Sequence, residues 1–447
     1  MKLTSRLVAH FKHARFLMVS CSALTTINAT AGTINTFTAT TDNLLGTASN
    51  YSLGAAPATS TSAGSYKDVL LTGTAYNLQQ TNTNTITESL SVTNGSSYKI
   101  SAYASNANAP TFRVGSTTTS GTTESIAAFT NANVPSSGGS QDLIYIGGSS
   151  TLLISEDNDL TPAQPLTLEL RQGGNFDVTS GSTLSIDAVI KQKSSNTAIT
   201  IKGGGVTNFT KVNTYTGATT VSAGTLNIGY AGTINTSSSI AVTAGAKFTY
   251  NSSVELTKAP VLNGVSTSSR AVLGGSGTVN ATLVLDNKGD TLSPGNSPGI
   301  LSFTGNQTWN SFSYDWEANN FTGTVAGTNF DQIAIAGGLT LSGGSGSYVL
   351  NLLSLTGANV AGVIPNFSEG SRSWTVLSTT TGITGFNAAN WSINTAGFTT
   401  SPSFAESFSL VNSGNNLVLT YVPEPGSVAL AATGVLGLLV RRRRSIH

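Results

Sequence analysis

The chain has 447 residues, of which only 9% are charged, and it carries 48 glycines, one cysteine and three histidines at a formal net charge of +1. The charged fraction is far below the roughly 25% of an ordinary soluble protein, while an apolar fraction of 38% is too high for a disordered linker. One cysteine excludes an internal disulfide framework and a thiolate metal cluster, and the scarcity of Lys and Arg argues against a nucleic-acid-binding stripe.

Residues 1–31 read as a secretory signal peptide. Lys2, Arg6, Lys12 and Arg15 form a basic start, Phe16 to Ile27 an apolar centre diluted by Ser and Thr, and Ala29-Thr30-Ala31 a small-x-small cleavage pattern with Ala29 and Ala31 as its small residues. An N-terminal amphipathic helix is one alternative. Acylation of Cys21 as a lipoprotein residue is another, although Met18-Val19-Ser20 is a poor approach to such a site. With the leader removed the body is cysteine-free. His10, His13 and His447 all lie in end segments expected to be cut away. A body without histidine lacks imidazole catalysis and most zinc sites.

Residues 32–190 are strand-like. Asp68-Val69-Leu70-Leu71, Asp142-Leu143-Ile144-Tyr145-Ile146 and Leu166-Thr167-Leu168-Glu169-Leu170 are short apolar runs, expected to be early coils or a capping β region. From Gly181 onward a motif recurs in which glycine precedes alternating apolar residues. Gly181-Ser182-Thr183-Leu184-Ser185-Ile186, Gly224-Thr225-Leu226-Asn227-Ile228 and Gly245-Ala246-Lys247-Phe248-Thr249-Tyr250 are instances, as are Gly299-Ile300-Leu301-Ser302-Phe303 and Gly338-Leu339-Thr340-Leu341. Side chains alternate along a strand, so each puts its apolar residues on one face. Glycine, Asn and Asp tolerate the left-handed backbone of tight turns. Turns at about 20-residue spacing predict stacked coils over 191–371, with a β-sandwich array as the alternative. If residues 32–420 formed coils of roughly 22 residues, the rod would be on the order of 80 Å long. Residues 372–421 hold Trp374 and Trp391 and close on Leu417-Val418-Leu419-Thr420-Tyr421, which predicts final strands and a cap.

Residues 422–447 form the most specific segment. Val422-Pro423-Glu424-Pro425 is followed by an apolar run from Ser427 to Val440 and then by Arg441, Arg442, Arg443 and Arg444. The apolar run is short for a spanning helix. The arginines would hold its end on the cytoplasmic face. The prolines stiffen the stretch before it into an extended form that an enzyme can grip. These residues resemble the PEP-CTERM sorting signal. The resemblance implies an exosortase as a transient partner, removal of the tail, and a Gram-negative host that makes exopolysaccharide. A plain short membrane anchor is the alternative.

A second resemblance rests on Asn213-Thr214-Tyr215-Thr216-Gly217-Ala218-Thr219-Thr220-Val221-Ser222-Ala223-Gly224-Thr225-Leu226. This stretch resembles the autotransporter-associated β-strand repeat. Leu292-Ser293-Pro294-Gly295-Asn296-Ser297-Pro298-Gly299 and Phe330-Asp331-Gln332-Ile333 are similar to a turn and a strand of the same proteins. It implies an all-β fold, a right-handed parallel β-helix (solenoid). In that setting Tyr215 would cover the open side of a coil and Gly217 would make a corner. The sequence departs from autotransporters in having no C-terminal set of amphipathic membrane strands.

Candidates for chemistry are few. Residues 32–420 hold 13 basic and 19 acidic residues. Glu156-Asp157-Asn158-Asp159 offers oxygen ligands for Ca²⁺ but reads more simply as a solvated acidic turn. Asp315-Trp316-Glu317 sets two carboxylates on one strand face, and Trp309 and Trp316 could stack on a sugar; a polar face over core aromatics is the simpler reading. Asp286 and Asp290 around Lys288 read as turn formers. No catalytic residue, cofactor or metal is expected. The expected product is an exported structural or adhesin-like protein of the outer surface or extracellular matrix, meeting exopolysaccharide or other surface proteins and touching the membrane only through its tail. The alternative is a β-helix protein that binds or degrades polysaccharide.

Overall fold

In the computed structural model, residues 165–403 and 407–423 are described, together with the shorter stretches 34–37, 68–71, 76–80, 84–87, 90–102, 111–115 and 142–156. The signal segment, Ala29 and Ala31, and the tail from Glu424 through Arg441–Arg444 lie outside the described residues. Among those described there is no α-helix and only one 3₁₀ turn, Ala388–Asn390, capped by the Asn387 side chain. No helix among them is long and apolar enough to cross a membrane.

The chain winds as a parallel β-helix. Its spine is a twelve-stranded sheet running from Tyr76–Gln80 to Trp391–Gly397. A nine-stranded sheet, Ile34–Phe37 to Pro260–Asn263, forms a second face. The third face begins as four strands ending at Val189–Gln192 and resumes as a sheet starting at Thr278–Val279. Successive coils pair in parallel, as in Thr183–Asp187 beside Val206–Phe209 and Gly224–Tyr230 beside Ala246–Ser252. At the far end an antiparallel hairpin, Ser407–Ser413 with Asn416–Val422, closes onto Arg372–Thr379.

The register explains the core. Leu152, Leu184, Thr207, Leu226, Phe248, Leu273, Leu292, Tyr314 and Leu350 stack as consecutive partners on the inner face of the spine. All are buried. No coil could cover these residues alone; each is sealed by the coil above and below, at about 1.5–3 kcal/mol per buried large apolar side chain. The glycines expected at corners adopt left-handed backbone there, with φ of 80° at Gly181, 70° at Gly224 and 90° at Gly245.

Coil length is not uniform. Equivalent side chains are separated by 23, 19 and 24 residues in the middle of the rod, by 54 near its start and by 36 and 43 near its end. The long late coils hold extra residues between their strands, and the twelve described spine strands make a rod on the order of 50 Å at ~4.8 Å per strand. That is shorter than uniform 22-residue coils would give.

Tyr215, Ile234 and Leu256 are buried where the third face carries no strand. The Tyr215 hydroxyl is bonded to Thr219 Oγ1 at 2.7 Å, which meets Ser237 Oγ at 2.8 Å. Burial, partly offset by these bonds, raises the Tyr215 phenol to about 12. Gly217 lies against the Thr197 carbonyl of the preceding coil, where a Cβ would overlap it.

Candidate functional site

The outer face of the spine carries the side chains that can meet a partner. Because side chains alternate, the residues between the core positions point outward: Ser185, Asn208 and Asn227 in the early coils, Asp315, Asn351 and Asn394 in the late ones. They form two hydrogen-bonded ladders along the rod. In the first, Asn208 Nδ2 donates to Ser185 Oγ (3.0 Å), Asn227 Nδ2 to Asn208 Oδ1 (3.2 Å) and Asn251 Nδ2 to Asn227 Oδ1 (2.8 Å). In the second, Asn351 Nδ2 donates to Asp315 Oδ1 (2.7 Å) and Asn394 Nδ2 to Asn351 Oδ1 (3.0 Å).

Each ladder floors a groove. The early groove, about 710 Å³, is lined by Asp187, Asn208, Thr210, Lys211, Asn227 and Tyr230, among others. The late groove, about 700 Å³, is lined chiefly by Arg270, Lys288, Asp315, Asn351 and Asn394.

Several charged groups are engaged by contacts between coils. Lys211 meets Glu156 at 3.0 Å and Asp187 at 3.5 Å. Burial lowers the Lys211 pKa, but the two carboxylates outweigh it and leave the ammonium above its ordinary value. Arg270 Nη1 grips both oxygens of Asp315 at 2.8 and 2.7 Å. On the other faces Lys202 bridges Asp142 and Asp177, and Glu169 sits between Arg113 and Lys191, its partners one coil away on either side.

The acidic candidates have structural duties. Glu156 holds Lys211, while Asp157 to Asp159 lie outside the described residues. Among the described residues no group of three or more His, Cys, Asp or Glu is placed to hold a metal ion. Asp315 and Glu317 do share the outward face of Ser311–Ala318, with Asp315 neutralised by Arg270. Trp309 and Trp316 are buried and cannot stack on a sugar. Trp309 packs on Phe303 and Phe312, and Trp316 on Trp374 at 5.6 Å, with its Nε1 donating to Asp331 O. Asp290, also buried, accepts from the backbone N–H groups of Gly264, Asp286 and Asn287 and so shapes the loop around Lys288.

Asp331 joins two of the stretches singled out in the sequence. Its Oδ1 accepts from Gly299 N, the last residue of the Pro-Gly-Asn-Ser-Pro-Gly turn, at 2.7 Å, and its Oδ2 accepts from Glu317 N at 2.9 Å. Burial, with the charge of Glu317 second, lifts its pKa well above the carboxylate range. Burial likewise raises Glu317. Sequence reading missed Tyr230, an exposed tyrosine with φ 53° at the rim of the early groove. A lone Tyr after Gly229 gives no periodic signal.

The last described strand runs to Val422, whose partner is Ser407, so the sorting segment starts on the closing hairpin itself. Residues 422–444 match the PEP-CTERM protein-sorting motif. Among curated proteins none matches the chain. The motif marks an exported protein of the cell envelope or surface that is processed by an exosortase.

Proposed function

We propose that the mature product is a non-catalytic structural or adhesin-like rod of the outer surface or extracellular matrix, released from a transient membrane anchor by removal of its tail. One observation carries this reading. Arg270 ties up Asp315 and Lys211 ties up Glu156 and Asp187 coil to coil, so among the described residues Glu317, on the same outward face as Asp315, has no free carboxyl beside it on that face. A glycosidase needs two carboxyls flanking one bond, free to exchange protons. The ladders on the outward face of the spine are otherwise built of Ser and Asn.

We read Asn213–Leu226 as a copy of the autotransporter-associated repeat. The inward Tyr215 and the close approach of Gly217 to Thr197 support that reading. The three-segment logic of residues 422–444 supports a membrane stage before processing.

The test is to express the gene with and without an exosortase and to follow the tail by mass. Loss of residues 426–447 only in the presence of the exosortase is expected. Retention of that segment in the exported product defeats the sorting step. Separately, incubation of the purified protein with polysaccharide is expected to liberate no new reducing ends; sustained turnover overturns the non-catalytic reading.

A further inference from the structure

We propose that the early groove binds a neutral polysaccharide chain lying along the rod, with Tyr230 as the platform for one sugar ring. This rests on the surface role above and names a ligand class for it.

The starting point is the backbone of Tyr230. Its side chain is 81% exposed, and its φ of 53° is a left-handed conformation that side chains other than Gly, Asn and Asp rarely adopt. Gly232 N donates to Gly229 O at 2.9 Å, so Tyr230 occupies the first central position of a tight turn. Glycine fits that position without strain. A tyrosine there adds no burial to the core, and the fold holds the strain in place, which is the kind of outlier that clusters at ligand sites. The turn stands the ring at the groove rim. Behind it, Gly229 leaves open space where a side chain would sit.

The floor supplies matching chemistry. Asn208 and Asn227 each use one N–H and one lone pair on the ladder. A primary amide has two of each, so paired hydroxyls can still be met by donor and acceptor together. Consecutive amides are one coil apart, about 4.8 Å, close to the advance of one pyranose in an extended chain. A sugar presents an apolar C–H face to an aromatic ring and hydroxyls at its edge, and the tyrosine and the amides answer these respectively.

Charge selects a neutral chain. Lys211, the one cation lining the groove among the described residues, is already engaged by Glu156 and Asp187. Two carboxylates against one ammonium leave the site slightly negative, which repels a uronate polymer. The lining also lacks the row of large apolar pockets that a helical peptide requires. The late groove is similar in size but has no aromatic platform, and it serves as the internal control.

The experiment is calorimetric titration of the exported protein with neutral hexaoses (β-1,4-glucan, β-1,3-glucan and β-1,4-mannan) and with a hexagalacturonate. At least one neutral hexaose is expected to bind and the uronate to bind at least tenfold more weakly. Tyr230→Gly is expected to weaken the neutral hexaose at least tenfold while its urea midpoint stays equal or rises, because glycine accepts the turn. Asn394→Ala in the late groove is expected to leave binding unchanged. Absence of binding to every neutral hexaose, equal binding by Tyr230→Gly, or equal binding of the uronate overturns the proposal. Such failure leaves tail removal untouched, whereas new reducing ends from a hexaose would instead remove the non-catalytic reading.

Discussion

Replacing Asp331 by alanine tests the clamp between the proline-rich turn and the spine. Two backbone N–H groups, those of Gly299 and Glu317, lose their acceptor at a site where Asp331 itself is fully buried. An unsatisfied buried donor costs about 1–3 kcal/mol, so the two together cost about 2–6 kcal/mol. Against this stands relief from burying a carboxylate next to Glu317. The two effects separate with pH. Burial holds the folded pKa of Asp331 well above its unfolded value of about 3.9. The folded state therefore binds this proton more tightly than the unfolded chain. The stabilisation is complete below the unfolded pKa and is lost as pH rises through the folded pKa. In urea titrations followed by tryptophan fluorescence, the gap between wild type and Asp331→Ala is expected to be widest near pH 4 and to narrow toward pH 8. Amide exchange should localise the loss to Gly299 and Glu317. A gap that widens with pH would show that the anion is stabilised by its two donors more than burial penalises it, and the reasoning fails.

Three further changes probe other links. Gly217→Ala sets a methyl against the Thr197 carbonyl, and a lowered urea midpoint worth at least ~1–3 kcal/mol is expected. Tyr215→Phe removes the bond to Thr219 but leaves Thr219 paired with Ser237, so a loss of only about 0.5–1.5 kcal/mol in the same assay is expected. Trp316→Ala empties a core site between Trp374 and Phe330 and is expected to cost about 3–5 kcal/mol. Any glycan binding retained by its folded fraction should match wild type, since Trp316 reaches no surface.

Much of this architecture can be read from the chain because the rod is built from local rules. Gly181, Gly224 and Gly245 each announce a corner, and the strands Thr183–Asp187, Gly224–Tyr230 and Ala246–Ser252 begin at or within two residues of them. Parity also places Trp316. If Asp315 and Glu317 face outward, the residue between them faces inward, and its burial follows. Coil length is harder to read, because a stacked coil tolerates excursions between fixed strands. Asp315 and Asn351 are ladder neighbours 36 residues apart, and Asn351 and Asn394 are neighbours 43 apart. No fixed period survives such insertions. The early groove is hidden for a related reason. Its floor is assembled from Ser185, Asn208 and Asn227 on three coils, and Tyr230 differs from any other surface tyrosine only in a backbone angle.

The sparse charges do more for register than for stability. Exposed ion pairs contribute at most about 1 kcal/mol and buried ones such as those of Glu169 and Asp177 lose much of their attraction to desolvation, so Arg113–Glu169–Lys191 and Asp142–Lys202–Asp177 do not by themselves hold a rod together. Each set, however, joins consecutive or next-nearest coils on one face. A slip of one residue between parallel strands would turn every apolar side chain outward, and it would also break these contacts. Polar Thr, Ser and Asn positions cannot supply that discrimination, because each pairs about as well with its neighbours. The charges thus sit where stacking needs an unambiguous alignment. The early ladder of Ser185, Asn208, Asn227 and Asn251 stays neutral and hydrogen-bonding, the condition under which uncharged hydroxyl-rich chains compete best against solvent for the amides.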